Sequence, residues 1–151
     1  MLYLPINYDQ HSVFGPTNKN SFKEEADLMQ LFNYSGIDYQ FKGKVGTGNS
    51  HCGSLLPSLA KEAGFKVLAY GASDWVILPD KVIAYSNNKR KVLEFFMNAF
   101  YSVLKGSSKE TKNKFGVSDQ QIEKWYKLRK RQLKSGDLYY SCVQKDILCG
   151  K

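Results

Sequence analysis

The chain has 151 residues, 42% of them hydrophobic and 24% charged, enough for one domain with its own core and too unbiased for a disordered, collagenous or coiled-coil protein. No apolar run reaches the length of a membrane span, and residues 1–8 lack the basic stretch and long apolar stretch of a signal peptide, so the expectation is a single cytoplasmic domain over 1–151 with no membrane contact. The formal net charge is +8, and ten Lys or Arg against three acids fall between Lys105 and Lys134. An excess segregated in this way, in a basic C-terminal subregion 105–134, points to a partner of opposite charge.

Leu2 to Tyr8 alternates apolar and polar residues and reads as a strand, with Pro5 suiting a sheet edge. Gly15-Pro16-Thr17-Asn18 is a turn. Ser21-x-x-Glu24 has the form of a capping box, and Phe22, Ala26, Met29 and Phe32 recur at helical spacing until Gly36 ends the helix. A second strand is expected over Asp38–Val45. After the loop Gly46-Thr47-Gly48-Asn49-Ser50, an apolar helix carries Leu55, Leu56, Leu59 and Ala63, begins near Ser54 with Pro57 in its first turn, and is capped by Gly64 with Phe65 behind it.

Lys66–Tyr70, Trp75–Leu78 and Val82–Tyr85 are separated by the turn residues Gly71-Ala72-Ser73-Asp74 and Pro79-Asp80, a spacing that predicts a three-strand antiparallel meander. Asn87-Asn88 caps a long helix whose Val92, Phe96, Ala99, Phe100 and Val103 form a broad apolar stripe, the pattern of a central core helix. Gly106–Lys114 is polar, a loop or ragged helix. Ser118-x-x-Gln121 then caps a basic amphipathic helix running to about Lys134, with Ile122, Trp125, Arg129 and Leu133 on one face. Gly136-Asp137 ends it, and Leu138–Val143 reads as a last strand. The fold class expected from this order is α+β, with an antiparallel sheet.

Three cysteines, Cys52, Cys142 and Cys149, show no framework spacing and fit free thiols better than disulfides. His11 and His51 make no HxxxH pair and the cysteines no CxxC pair, so no metal site is expected. Asp74 and Asp80 could hold a metal for nuclease chemistry, but the Glu-x-Lys that would complete such a core is absent, and aspartates at turns serve turn geometry. No cofactor is expected.

Two segments carry chemistry. In the first, Cys52 lies at the start of a helix, where free N–H groups and the helix dipole favour thiolate. Gly46, Gly48, Asn49, Ser50 and His51 before it form a loop able to cradle an anion. Cys52 with small neighbours, followed by Leu55-Leu56-x-x-Leu59 and Ala63-Gly64, resembles the nucleophile helix of papain-like, NlpC/P60-type thiol hydrolases, in the permuted branch where the histidine precedes the cysteine. That resemblance implies Cys52 as nucleophile, His11 as base and Asp38 as a candidate orienting group. The other reading of the same residues is a small buried cysteine at a helix start. Lys44-Val45-Gly46-Thr47-Gly48 also resembles the pyrophosphate loop of acetyltransferases, although Asn49 to Gly53 intervene before the helix.

The second segment is Lys114 to Arg131. Phe115-Gly116-Val117-Ser118 and the capped helix behind it resemble the turn and second helix of a helix-turn-helix. Lys124, Lys127, Arg129, Lys130 and Arg131 could neutralise phosphates, and Trp125 and Tyr126 could stack on bases. The bland alternative is a surface helix with Ile122 and Trp125 docked on the core and its lysines merely solvated. Weighed together, the residues point first to a basic protein that binds nucleic acid or another phosphate-rich ligand, and second to a thiol hydrolase.

Overall fold

The computed structural model describes residues 1–42, 52–79 and 87–151. Strand β1 (Leu2–Gly15) leads through a 3-10 turn at Lys19–Ser21 into α1 (Phe22–Lys42). Then follow α2 (Cys52–Glu62), β2 (Lys66–Ile77), α3 (Asn87–Gly106), α4 (Lys109–Lys114), α5 (Asp119–Ser135) and β3 (Tyr139–Gly150). The fold class is α+β, as expected. The described strands form an antiparallel sheet in the order β1-β3-β2, so the last strand of the chain lies between the first two. Among the described residues β1, with its Pro5, is at an edge.

Register decides which helix covers which part of this sheet. The β2–β3 pairing is unbroken from Ile77↔Tyr140 to Tyr70↔Ile147, so residues of β3 alternate between faces without interruption. Tyr140 and Cys142 therefore point to one face, and Ile147 and Cys149 to the other; all four are buried. The first pair joins the main core. Phe14 of β1 meets Phe100 at 5.4 Å and Trp125 at 5.4 Å, Phe32 stacks on Phe100 at 4.1 Å, and Phe96 stacks on Tyr140 at 4.8 Å. Leu28 and Leu31 of α1, and Leu93, Met97 and Leu104 of α3, fill the space between. The second pair packs under Leu56 of α2, flanked by Leu2, Ala60, Phe65 and Val67. The long helices thus cover one end of the sheet from one side, and α2 covers the other end from the opposite side.

Several elements differ from their expected form. Ser21 is not a cap for α1. Its hydroxyl donates to the carbonyl of Asn18, and Asn18 caps the 3-10 turn that precedes the helix. Phe22 is exposed, and the buried stripe is Leu28, Leu31, Phe32 and Ser35, the same helical period displaced around the axis. The helix passes through Gly36 and runs to Lys42, so residues 38–42 are helical where a strand was expected. A glycine inside a helix costs only about 1 kcal/mol, which does not stop one anchored by packing. Residues 43–45 of that expected strand lie outside the described residues.

In α2, Pro57 sits inside the helix and the helix begins at Cys52, earlier than expected. Proline has no N–H for the carbonyl four residues back, that of Gly53. The Tyr70 hydroxyl supplies the missing donor, reaching the Gly53 carbonyl at 3.0 Å. The C-terminus is as expected: Gly64 takes φ +80°, the Phe65 N–H reaches the Ala60 carbonyl at 2.9 Å, and Phe65 packs behind the turn.

Gly71-Ala72-Ser73-Asp74 does not turn. These residues continue β2 opposite Asp146, Lys145, Gln144 and Val143, so the predicted meander is replaced by one long strand. Turn propensity yields here to the ladder bonds offered by an equally long central partner. The third expected strand, Val82–Tyr85, and Asp80 lie outside the described residues. On α3 the fully buried line is Leu93, Met97, Phe100 and Leu104; Val92, Phe96 and Val103 are half-buried beside it, and Ala99 is exposed. No described helix is long and apolar enough to cross a membrane.

Candidate nucleic-acid interface

Helix α5 is fixed at both ends by its own sequence. The Ser118 hydroxyl accepts from the Gln121 N–H at 3.2 Å while the Gln121 side chain accepts from the Ser118 N–H at 2.7 Å, a complete capping box. Gly136, at φ 72°, closes the other end. Before it, the six-residue α4 is capped by Ser108 and buries none of its side chains. Gly116, at φ 64°, makes the tight turn between the two helices, and Val117 and Ile122 anchor that turn in the core.

One face of α5 is locked into the core. Trp125 is 3% exposed, and its Nε1–H donates to Glu25 of α1 at 3.1 Å. Arg129 is fully buried. Its guanidinium donates to the Pro16 carbonyl at 3.0 Å, the Gln132 side chain at 2.7 Å, the Thr17 hydroxyl at 3.2 Å and the Glu25 carboxylate. Only its Nε finds no partner among the described residues. Burial pushes the Glu25 carboxyl up from its ordinary range, opposed by Arg129 and by the Trp125 N–H; burial likewise lowers the Arg129 value, opposed by Glu25. Tyr126 is half-buried, stacked on Tyr101 at 4.0 Å with its hydroxyl on Asn98 at 2.7 Å. The aromatic rings and the arginine of this face hold α5 to β1, α1 and α3.

The basic region divides along its length. Toward the N-terminus of α5 the cations meet acids: Lys105 with Glu123 at 3.1 Å, Lys112 with Asp119 at 2.9 Å and Lys124 with Glu24 at 3.0 Å. The Asp119 carboxyl is held below its usual range chiefly by its hydrogen bond from Lys112, and that of Glu123 by the Tyr101 hydroxyl and then Lys105. Toward the C-terminus Lys127, Lys130, Arg131 and Lys134 are exposed and form no salt bridge among the described residues. Their positions, i, i+3, i+4 and i+7, place them on one helical stripe about 10 Å long at 1.5 Å per residue. Lys130 also lies over the Tyr126 ring at 5.1 Å.

Of the seven residues the sequence named for this surface, Tyr126 is half-buried against Tyr101 and the other six fall into two groups. Lys127, Lys130 and Arg131 lie together on the exposed stripe with Lys124 at its edge, whereas Trp125 and Arg129 lie in the core. Lys134 completes the stripe and follows from the same periodicity. Less obvious from sequence is the start of α3, where Arg90 donates to the Leu133 carbonyl at 2.9 Å, so that Lys89-Arg90-Lys91 meets the C-terminal end of α5. Three consecutive cations were a legible signal, but their proximity to α5 was not.

Of the thiol constellation, Cys52 is the first residue of α2. His11 lies in the irregular stretch of β1 between Asn7 and Ser12, where four residues of β1 stand opposite the single β3 residue between Gln144 and Cys142. The side chains of Cys52, His11 and Asp38, and all of Gly46, Gly48, Asn49, Ser50 and His51, lie outside the described residues. Cys142 and Cys149 are buried free thiols, and burial pushes the Cys142 value up, away from thiolate. Among the described residues no group of three or more His, Cys, Asp or Glu could hold a metal ion. No protein-family model and no curated protein matches this sequence.

Proposed function

We propose that this protein binds nucleic acid through its phosphates, using the C-terminal half of the exposed face of α5. The observation that carries the reading is the stripe Lys127, Lys130, Arg131 and Lys134, four exposed cations on a capped, well-anchored helix, with no acid in salt-bridge contact among the described residues. A rigid cationic stripe neutralises phosphates at little ordering cost, because the helix backbone is fixed before binding. The burial of Trp125 and the stacking of Tyr126 on Tyr101 leave α5 without an open ring for unpaired bases, which favours a duplex contacted at its backbone over a single strand held by stacking.

The test is fluorescence anisotropy of a labelled DNA duplex titrated with protein at several salt concentrations. Each neutralised phosphate contributes about 0.9 to the slope of log K against log salt, so changing the four cations together to Gln should flatten the slope by about 3.6. An unchanged slope in that variant, with the fold intact by circular dichroism, would remove the interface from α5.

A further inference from the structure

We infer that the nucleic-acid surface does not end with α5 but crosses onto the N-terminus of α3, where Lys91 supplies a further phosphate contact and Arg90 holds the two helices in register. The inference rests on the function proposed above and extends its site to a second helix.

Three observations carry it. The Arg90 guanidinium bonds the carbonyls of Leu133 and Lys134, at 2.9 and 3.4 Å, joining the start of α3 to the end of α5. A cation on those carbonyls is electrostatically favourable, since they form the negative end of the helix dipole. Next, residues 87–91 are all exposed, and neither Lys91 nor Glu94, the next acid along α3, makes a salt bridge among the described residues. Finally, the charge gradient along α5 has a direction. Its first half carries Asp119 and Glu123, paired with Lys112 and Lys105, and Lys124, paired with Glu24, whereas residues 124–135, which include the half that meets α3, carry no acid. A polyanion lying on Lys127 and Lys130 therefore meets acids if it continues toward the α5 N-terminus, and cations if it continues toward Lys134 and α3. Side-by-side helices lie about 8–10 Å apart, so phosphates along an extended backbone can reach both.

The experiment compares Lys91→Gln with Lys61→Gln, an exposed lysine on α2, in the same duplex titration. Lys91→Gln should flatten the salt slope by about 0.9, as one α5 lysine does, and Lys61→Gln should leave it within about 0.2. Equal, small effects from the two would overturn the extension while leaving the α5 site standing. If the four-fold α5 variant binds like the parent, it is the α5 reading itself that fails. In that case a slope change confined to Lys91→Gln would place the contact on α3 alone and refute a surface shared by the two helices.

Discussion

Arg129 and Lys130 are neighbours in sequence and opposites in the fold. Arg129 is fully buried, with Glu25, Pro16, Thr17 and Gln132 around its guanidinium, and so ties α5 to α1 and to the end of β1. Lys130 is exposed on the stripe with Lys127, Arg131 and Lys134. One helix turns 100° per residue, and that rotation separates a cation that holds the protein together from one available to a partner. Positive charge counted along a segment is therefore a poor measure of what a ligand meets. Charge counted by face, after removal of buried and acid-paired groups, is the better one.

The strongest way to break this contrast is to unpair the buried side. Arg129→Met leaves the half-buried Glu25 without its cation, and Glu25→Gln leaves the buried Arg129 without its anion. Each should destabilise the fold by about 3–5 kcal/mol in urea unfolding. The double variant should recover much of that loss, because with both groups neutral no charge is left buried without its partner. If the singles cost no more than a surface substitution, the core role of Arg129 is lost and the contrast with Lys130 goes with it.

Trp125→Phe is gentler. It keeps a ring against Phe14 and Phe100 but removes the N–H that Glu25 accepts. A loss of about 1–3 kcal/mol is expected from leaving part of that carboxylate unsatisfied, with the salt slope of duplex binding unchanged. An altered slope at constant fold would mean that Trp125 reaches the ligand after all.

How much of this was legible beforehand depends on which force set each feature. The capping box at Ser118 and Gln121, the Gly64 and Gly136 helix ends and the helical period of α3 are local, and the chain carries their signals within a few residues. The passage of β2 through Gly71–Asp74 is not local. It depends on the length of β3, which lies some seventy residues further on and pairs with it throughout. The face of α5 is an intermediate case. Its period placed Ile122, Trp125, Arg129 and Leu133 together, but a buried arginine is legible only once Glu25 and the Pro16 carbonyl are known to converge on it. The neutralisation of Lys124 by Glu24, a hundred residues away, was likewise invisible in the sequence.

On the exposed side the expected effects on stability are small and those on binding local. Lys127→Gln, Lys130→Gln and Arg131→Gln should each change stability by no more than about 0.5 kcal/mol, while flattening the salt slope by about 0.9. Both quantities come from the same preparations, by urea unfolding and by duplex titration. A stability loss comparable to that of Arg129→Met would show that these side chains hold the fold too.

Lys124 is the finest discriminator, because it shares the surface but not the freedom of the stripe. Its ammonium lies 3.0 Å from Glu24, so a phosphate must displace a carboxylate to reach it. Lys124→Gln should therefore flatten the slope by clearly less than Lys127→Gln does. Glu24→Gln should steepen it toward one added contact, and that gain should vanish when Lys124→Gln is present as well. A Glu24→Gln gain that survives in the Lys124→Gln background would instead mean that Glu24 acts on the ligand at long range, through repulsion and not through occupation of one lysine. The two outcomes separate at high salt, where long-range repulsion is screened within about 3 Å at 1 M and a contact pair persists.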